Sequence, residues 1–144
     1  MRIRFKLLSQ NAIPPQRMTP DSVGWDLSAA LCEEMVLNPG ARAAIPTGLA
    51  LEIPQGYEGQ IRPRSGLALK LGLGVLNSPG TIDPDYRGEL KVILINSSTE
   101  DVVIRPGMRI AQIIICPVAL VEFEQSDELG QSQRSDGGFG HTGN

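Results

Sequence analysis

Leu49-Ala50-Leu51-Glu52-Ile53-Pro54-Gln55-Gly56-Tyr57-Glu58-Gly59-Gln60-Ile61-Arg62 decides the fold class. Two short strand-like runs, Leu49–Ile53 and Tyr57–Arg62, flank Pro-Gln-Gly. Proline presets φ and glycine accepts φ > 0, so the break is a turn with a mechanism. The pattern repeats outward. Arg2–Leu8 puts Ile3, Phe5 and Leu7 on one face and Arg2, Arg4 and Lys6 on the other, the period of a strand. Trp25–Ala30, Ala41–Ile45, Leu90–Ile95, Val102–Ile104, Arg109–Cys116 and Leu120–Phe123 read likewise. Asn38-Pro39-Gly40, Asn96-Ser97-Ser98 and Arg105-Pro106-Gly107 are further turns. Spacings of about 8–12 residues predict an all-β, jelly-roll-like sandwich or barrel. Ser65–Leu71 is the one short helix expected, with Ser65 as its N-cap.

The chain has 144 residues, which suits one domain with a core of its own. Sixteen glycines and 11 prolines interrupt a chain with 13 isoleucines and 8 valines, again a β composition. No apolar run approaches the ~20 residues that span a membrane, and the first residues lack the apolar block of a signal peptide. A cytoplasmic protein is expected. The net charge of −3 argues against a sequence-independent grip on nucleic acid. Cys32 and Cys116 form no CxxC and the chain has one histidine, His141, so a zinc site is not expected. Both cysteines read as reduced, apolar fillers. After Phe123 the composition turns polar. Residues 1–124 are read as the core and 125–144 as a mobile arm.

Five segments carry candidate chemistry. Pro63-Arg64-Ser65-Gly66 offers a guanidinium, a hydroxyl and backbone N–H groups at a strand-to-helix junction, which suits phosphate. Gly80–Glu89 places Asp83 and Asp85 beside Tyr86, so that one acid can serve as a general base; taken alone, the segment reads better as a hairpin turn around Asp-Pro-Asp. Arg109 and Gln112 lie in a strand after Pro106-Gly107, as functional groups or as a solvated edge. Asp26, in Ser22–Leu27, is an acid in an apolar setting and needs a partner, for which an arginine is the plain choice. Arg134–Gly143 brackets the lone Phe139 with glycines in a polar tail, where a phenylalanine has no core to enter and is expected to dock.

Together, Ser22–Leu27, Pro63–Lys70, Asn77–Glu89, Pro106–Gln112 and Arg134–Gly143 resemble, in order, the five motifs of the trimeric dUTPase family. Val23 and Trp25 depart from the usual residues, and neither removes a chemical group. The resemblance implies a jelly-roll-like subunit, a homotrimer with active sites between subunits, and an arm that closes over one of them. It implies hydrolysis of dUTP to dUMP and pyrophosphate by water attack at the α-phosphorus, which keeps uracil out of DNA and supplies dUMP. In that scheme Asp83 is the base and Tyr86 packs under the deoxyribose. Asn77, with Thr81 and Ile82 of a Leu76–Asp83 hairpin, meets the uracil, and Lys91 contacts substrate through its main chain. Arg64, Ser65, Gly66 and Gln112 hold phosphates. Arg134 and Thr142 grip the γ-phosphate, and Phe139, beside Gly140, stacks on uracil. Mg2+ is carried by the phosphates and water, with Asp26 reaching it only through water and no direct protein ligand. A dCTP deaminase-like enzyme and a binding-only trimeric sandwich remain alternatives.

Overall fold

A computed structural model of the chain describes residues 1–133 and 135–137. The strands are β1 (Arg4–Leu7), β2 (Trp25–Ser28), β3 (Met35–Leu37), β4 (Arg42–Pro46), β5 (Leu49–Glu52) and β6 (Tyr57–Arg62). Helix α1 (Ser65–Leu71) follows, then β7 (Leu73–Val75), β8 (Gly80–Ile82), β9 (Lys91–Asn96), β10 (Val102–Ile104) and β11 (Arg109–Pro117). They form four antiparallel ladders: β2-β11-β6-β8, β4-β9-β7, β1-β5 and β10-β3. The all-β, jelly-roll-like expectation holds, although no ladder among the described residues closes into a barrel.

Inward alternation builds the core. Val92 and Leu94 of β9, Leu49 and Leu51 of β5, Ile61 of β6 and Ile110 and Ile113 of β11 are all buried. Asn96 closes the row as a fully buried amide. Its Nδ2 donates to the Leu37 and Glu100 carbonyls, each at 2.8 Å, and its Oδ1 accepts from the Ser98 N–H and hydroxyl. Full satisfaction is what lets a carboxamide sit there, and it ties β9 to β3.

Sequence and structure part company in several places. β3, β7 and β8, three residues each, fall outside every strand-like run of the sequence, whereas the equally short β10 coincides with one. Leu120–Phe123 forms no strand, and Leu120, Val121 and Phe123 are exposed. From Val118, whose N–H reaches Gly56 O, to Gln133 the chain has no helix or strand. Every residue of β1 is exposed, since β1 is paired to β5 alone, and its Phe5 and Leu7 are left about half-exposed. Arg64, not Ser65, takes the extended N-cap conformation of α1, with no side-chain cap bond. Cys32 is exposed and accepts a contact from Asn11 Nδ2, so it is no core filler; Cys116 is half-buried. No helix among the described residues is long and apolar enough to cross a membrane.

Leu94→Ala, at a fully buried position in the middle strand β9, is expected to cost about 2–5 kcal/mol. A fall in the denaturant midpoint at unchanged m-value measures it.

Candidate active site

Asp26 organises the first half of the site. Its side chain is 12% exposed, and both oxygens are occupied: Oδ1 accepts from Arg64 Nε and Oδ2 from Arg109 Nη1, each at 3.0 Å. The arginine partner expected for a buried acid is therefore two arginines. Arg64 Nη1 also donates to Arg109 O at 3.3 Å. Two guanidiniums against one carboxylate leave one net positive charge, a local attraction for anions on a chain of net charge −3.

A β-bulge makes this arrangement possible. In the β11–β2 ladder, Arg109 pairs with Ser28 and Ala111 with Leu27, so the extra residue falls between them. Without it, residues three apart would point to opposite faces of the strand. With it, both Arg109 and Gln112 share the face of Asp26, and Ile110 and Ala111 are buried in succession. Gln112 pairs with Asp26 on one side and Arg62 on the other. Its Nε2 donates to Pro63 O at 3.0 Å, and its Oε1 lies so close over Gly24 that a Cβ there would collide with it.

Beside this clamp opens a cleft of about 330 Å³, lined by Ser22, Gly24, Asp26, Arg64, Ser65, Gly66 and Gln112 among others. The first α1 hydrogen bonds run from Leu67 and Ala68 to Arg64 O, so the N–H groups of Ser65 and Gly66 have no helical acceptor. A Cβ at Gly66 would meet no atom within 4 Å, so nothing in the chain itself requires glycine there. Val23 is exposed at the rim, and Trp25 stacks under Arg17 at 5.3 Å, so both bulky departures sit where bulk is tolerated.

The second half lies elsewhere. Asp83 and Asp85 line another cleft, of about 800 Å³, with Arg2, Arg4, Glu52 and Arg87. The β6–β8 register pairs Gly59 with Ile82 and Ile61 with Gly80, so Asp83 leaves at the Glu58 end of β6 and Arg64 at the other. At ~3.3 Å per residue, Glu58 to Arg62 alone separates them by about 13 Å along the strand. Neither of the hairpins anticipated here exists. β7 pairs with β9 and β8 with β6, so residues 76–83 and 83–89 both cross between sheets.

Tyr86 is half-exposed, its N–H reaches Asp83 O at 3.2 Å, and its hydroxyl donates to Glu89 O at 3.0 Å. Asn77 folds over Gly80, with its Nδ2 3.1 Å from where a Cβ would be. Thr81 is exposed on β8, Ile82 packs against the core, and Lys91 opens β9 with Nζ 3.8 Å from Glu89. Arg134, Phe139, Gly140 and Thr142 lie outside the described residues. The structure thus joins Asp26, Arg64, Ser65, Gly66 and Gln112, and sets Asp83 apart. It adds Arg109, whose role the sequence left open, and Gly24. Arg109 comes to the site through the bulge, and Gly24 through the close approach of the Gln112 carboxamide; neither relation is visible in the sequence pattern.

The family model for dUTPase matches residues 10–143. The chain belongs to the dUTPase family. It is 53% identical over 141 residues to the deoxyuridine 5'-triphosphate nucleotidohydrolase of Syntrophotalea carbinolica, covering 98% of this chain and 96% of that protein. It is 56% identical over 130 residues to the enzyme of the same name from Chlamydia pneumoniae, covering 90% of each. The solved dUTPase of Staphylococcus bacteriophage 80alpha with dUpNHpp has a TM-score of 0.85 at 31% identity, covering 99% of this chain and 98% of the other. A phage phi11 dUTPase variant, solved to reveal the coordination of a structural Mg(II) ion, has a TM-score of 0.83 at 28% identity, covering 91% and 100%. These matches favour neither the deaminase-like nor the binding-only alternative.

Gly24→Ala is expected to push Gln112 out of its place above β2. Losing a hydrogen bond of ~0.5–1.5 kcal/mol should weaken inorganic triphosphate binding by up to about tenfold. Calorimetric titration reads the loss, and the melting temperature checks that the fold persists.

Proposed function

We infer that the protein is a dUTP diphosphatase that hydrolyses dUTP to dUMP and pyrophosphate, removing a uracil source for DNA and supplying dUMP. The observation that carries this reading is the split site of a dUTPase-family chain: a cationic phosphate cradle in one cleft and a carboxylate–tyrosine loop in another. Arg64, Ser65, Gly66 and Gln112 bind the phosphate chain by charge and by unpaired backbone donors. Asp83 holds the attacking water and takes its proton as the bond to the α-phosphorus forms; pyrophosphate leaves. Tyr86 presents its ring to the deoxyribose and leaves no room for a 2′-hydroxyl. Asn77, Thr81, Ile82 and Lys91 border the base and sugar on the same crossing segments.

Because one chain separates cradle from base, a complete site needs a second copy, and a homotrimer with shared sites supplies it. The half-exposed Phe5 and Leu7 of β1 and the exposed Leu69 of α1 suit such an assembly. Residues 125–144 act as an arm, with Arg134 and Thr142 on the γ-phosphate and Phe139 and Gly140 over the uracil. A cytoplasmic setting fits a nucleotide substrate and the exposed free thiol of Cys32.

The donor set fits Mg2+ bound through water. Asp26 is the acid of the phosphate cleft, and two guanidiniums already share its oxygens, which makes it a poor inner ligand and a serviceable acceptor for coordinated water. When bound with the triphosphate, Mg2+ supplies charge neutralisation. The chain's own contribution is positioning and water exclusion.

Asp83→Asn is expected to bind dUTP and lose about 10²–10⁴-fold in kcat. Hydrolysis in 18O-water should place the label in dUMP; label in pyrophosphate would overturn attack at the α-phosphorus. Truncation before Arg134 should leave the melting temperature and a sedimentation mass of three chains intact while lowering kcat by about 10²-fold or more. Single-turnover kinetics measure the drop, and an unchanged kcat would make the arm a passive tail.

A further inference from the structure

The segment from Asp83 to Glu89 carries the base and the sugar-facing ring, yet it crosses between two sheets with no strand partner of its own. Its C-terminal end is bolted down. Glu89 Oε1 accepts the Gly48 N–H at 3.0 Å, and Leu90, fully buried, exchanges bonds with Leu49 and Thr47. Gly48 is itself fixed: its φ is +65°, its carbonyl accepts from Leu8 at 2.7 Å, and a Cβ there would meet Ala12 at 2.6 Å. The exposed crest, Pro84 to Arg87, has no such anchor.

What holds the crest is Arg87. A single nitrogen, Nη1, donates to Pro84 O at 2.6 Å and to Tyr86 O at 2.9 Å. The two carbonyls flank Asp85, so one guanidinium closes the crest into a small ring. Next door, a Cβ at Gly88 would run into the Tyr86 hydroxyl, so the glycine lets the ring fold back to reach Glu89 O. Arg87 makes no ion pair within 4 Å among the described residues. Its donations to Pro84 O and Tyr86 O go to neutral carbonyls, so its work is to set shape, not to cancel charge.

We propose that Arg87 is a positioning residue for sugar selection: by closing the Pro84–Tyr86 crest it holds the Tyr86 ring rigid enough to exclude a 2′-hydroxyl. The proposal rests on the dUTP diphosphatase reading and adds a residue that acts through Tyr86. Rejecting one oxygen atom requires a wall held to within about 0.5 Å. A side chain on an exposed loop keeps such a tolerance only when its backbone is pinned on both sides. Tyr86 is pinned at its N–H by Asp83 O and at its carbonyl by Arg87.

The test compares Arg87→Met and Arg87→Lys with the unmodified full chain, using dUTP and UTP with Mg2+ as substrates. Arg87→Met keeps most of the length and no donor; a lysine amine can still bridge the two carbonyls. Arg87→Met should narrow the dUTP-to-UTP ratio of kcat/KM by at least about tenfold, with an unchanged melting temperature, and Arg87→Lys should restore most of it. Equal losses on both substrates would overturn the proposal and make Arg87 a contact to the phosphates. An unchanged ratio in Arg87→Met would overturn it too. If Arg87→Met does not fold, Arg87→Lys decides through the same ratio: near-normal selectivity supports the proposal, and a ratio collapsed alongside normal folding overturns it. Failure of the unmodified chain to release pyrophosphate from dUTP is a different result; it would remove the functional reading and this proposal with it.

Discussion

The bridge from Asp26 to Arg64 and Arg109 is the constraint on which the cradle depends. It joins three segments distant in sequence: β2, the exit from β6 and the bulged start of β11. A nearly buried carboxylate without partners is expensive, and removing one member of such a cluster typically costs about 3–5 kcal/mol because the charge left behind is uncompensated. Asp26 holds two guanidiniums at the mouth of a cleft without neutralising both, so the site is ordered before an anion arrives and still attracts one.

Around that bridge, backbone groups and small residues shape the cleft. Ser65 and Gly66 present N–H groups that α1 cannot use, and Gly24 leaves space that the Gln112 carboxamide fills. Small residues therefore mark places where another group must approach closely. The crossing segment 83–89 works by a different principle. It is long, exposed and outside every ladder, so its shape is imposed by Glu89 on Gly48 and by Arg87 on its own crest. Chemistry placed on a loop needs such internal ties, since the sheet does not supply them.

The division of one chain into two clefts links fold to assembly. Antiparallel pairing of β6 with β8 sends Asp83 and Arg64 to opposite ends of the same ladder. At another edge, β1 sits on a two-stranded ladder that leaves Phe5 and Leu7 about half-exposed.

Much was legible in the sequence because it rests on local physics. Proline and glycine between short apolar runs implied strands and turns, Ser65–Leu71 read as a helix at the observed boundaries, and the five motifs pointed to the family. A buried acid beside apolar residues implied an arginine partner. What remained hidden depends on long-range pairing. Met35–Leu37, Leu73–Val75 and Gly80–Ile82 are strands only through the partners they meet, and Leu120–Phe123 has a strand's composition but joins no ladder among the described residues. The bulge between Arg109 and Ala111 cannot be read from Arg-Ile-Ala-Gln, because it exists only relative to Ser28 and Leu27 on the facing strand. Composition and motif order determined that this is a β protein with dUTPase chemistry. Only tertiary structure decided which arginines share Asp26 and that Asp83 and Arg64 part company, because register is a property of two strands and not of one.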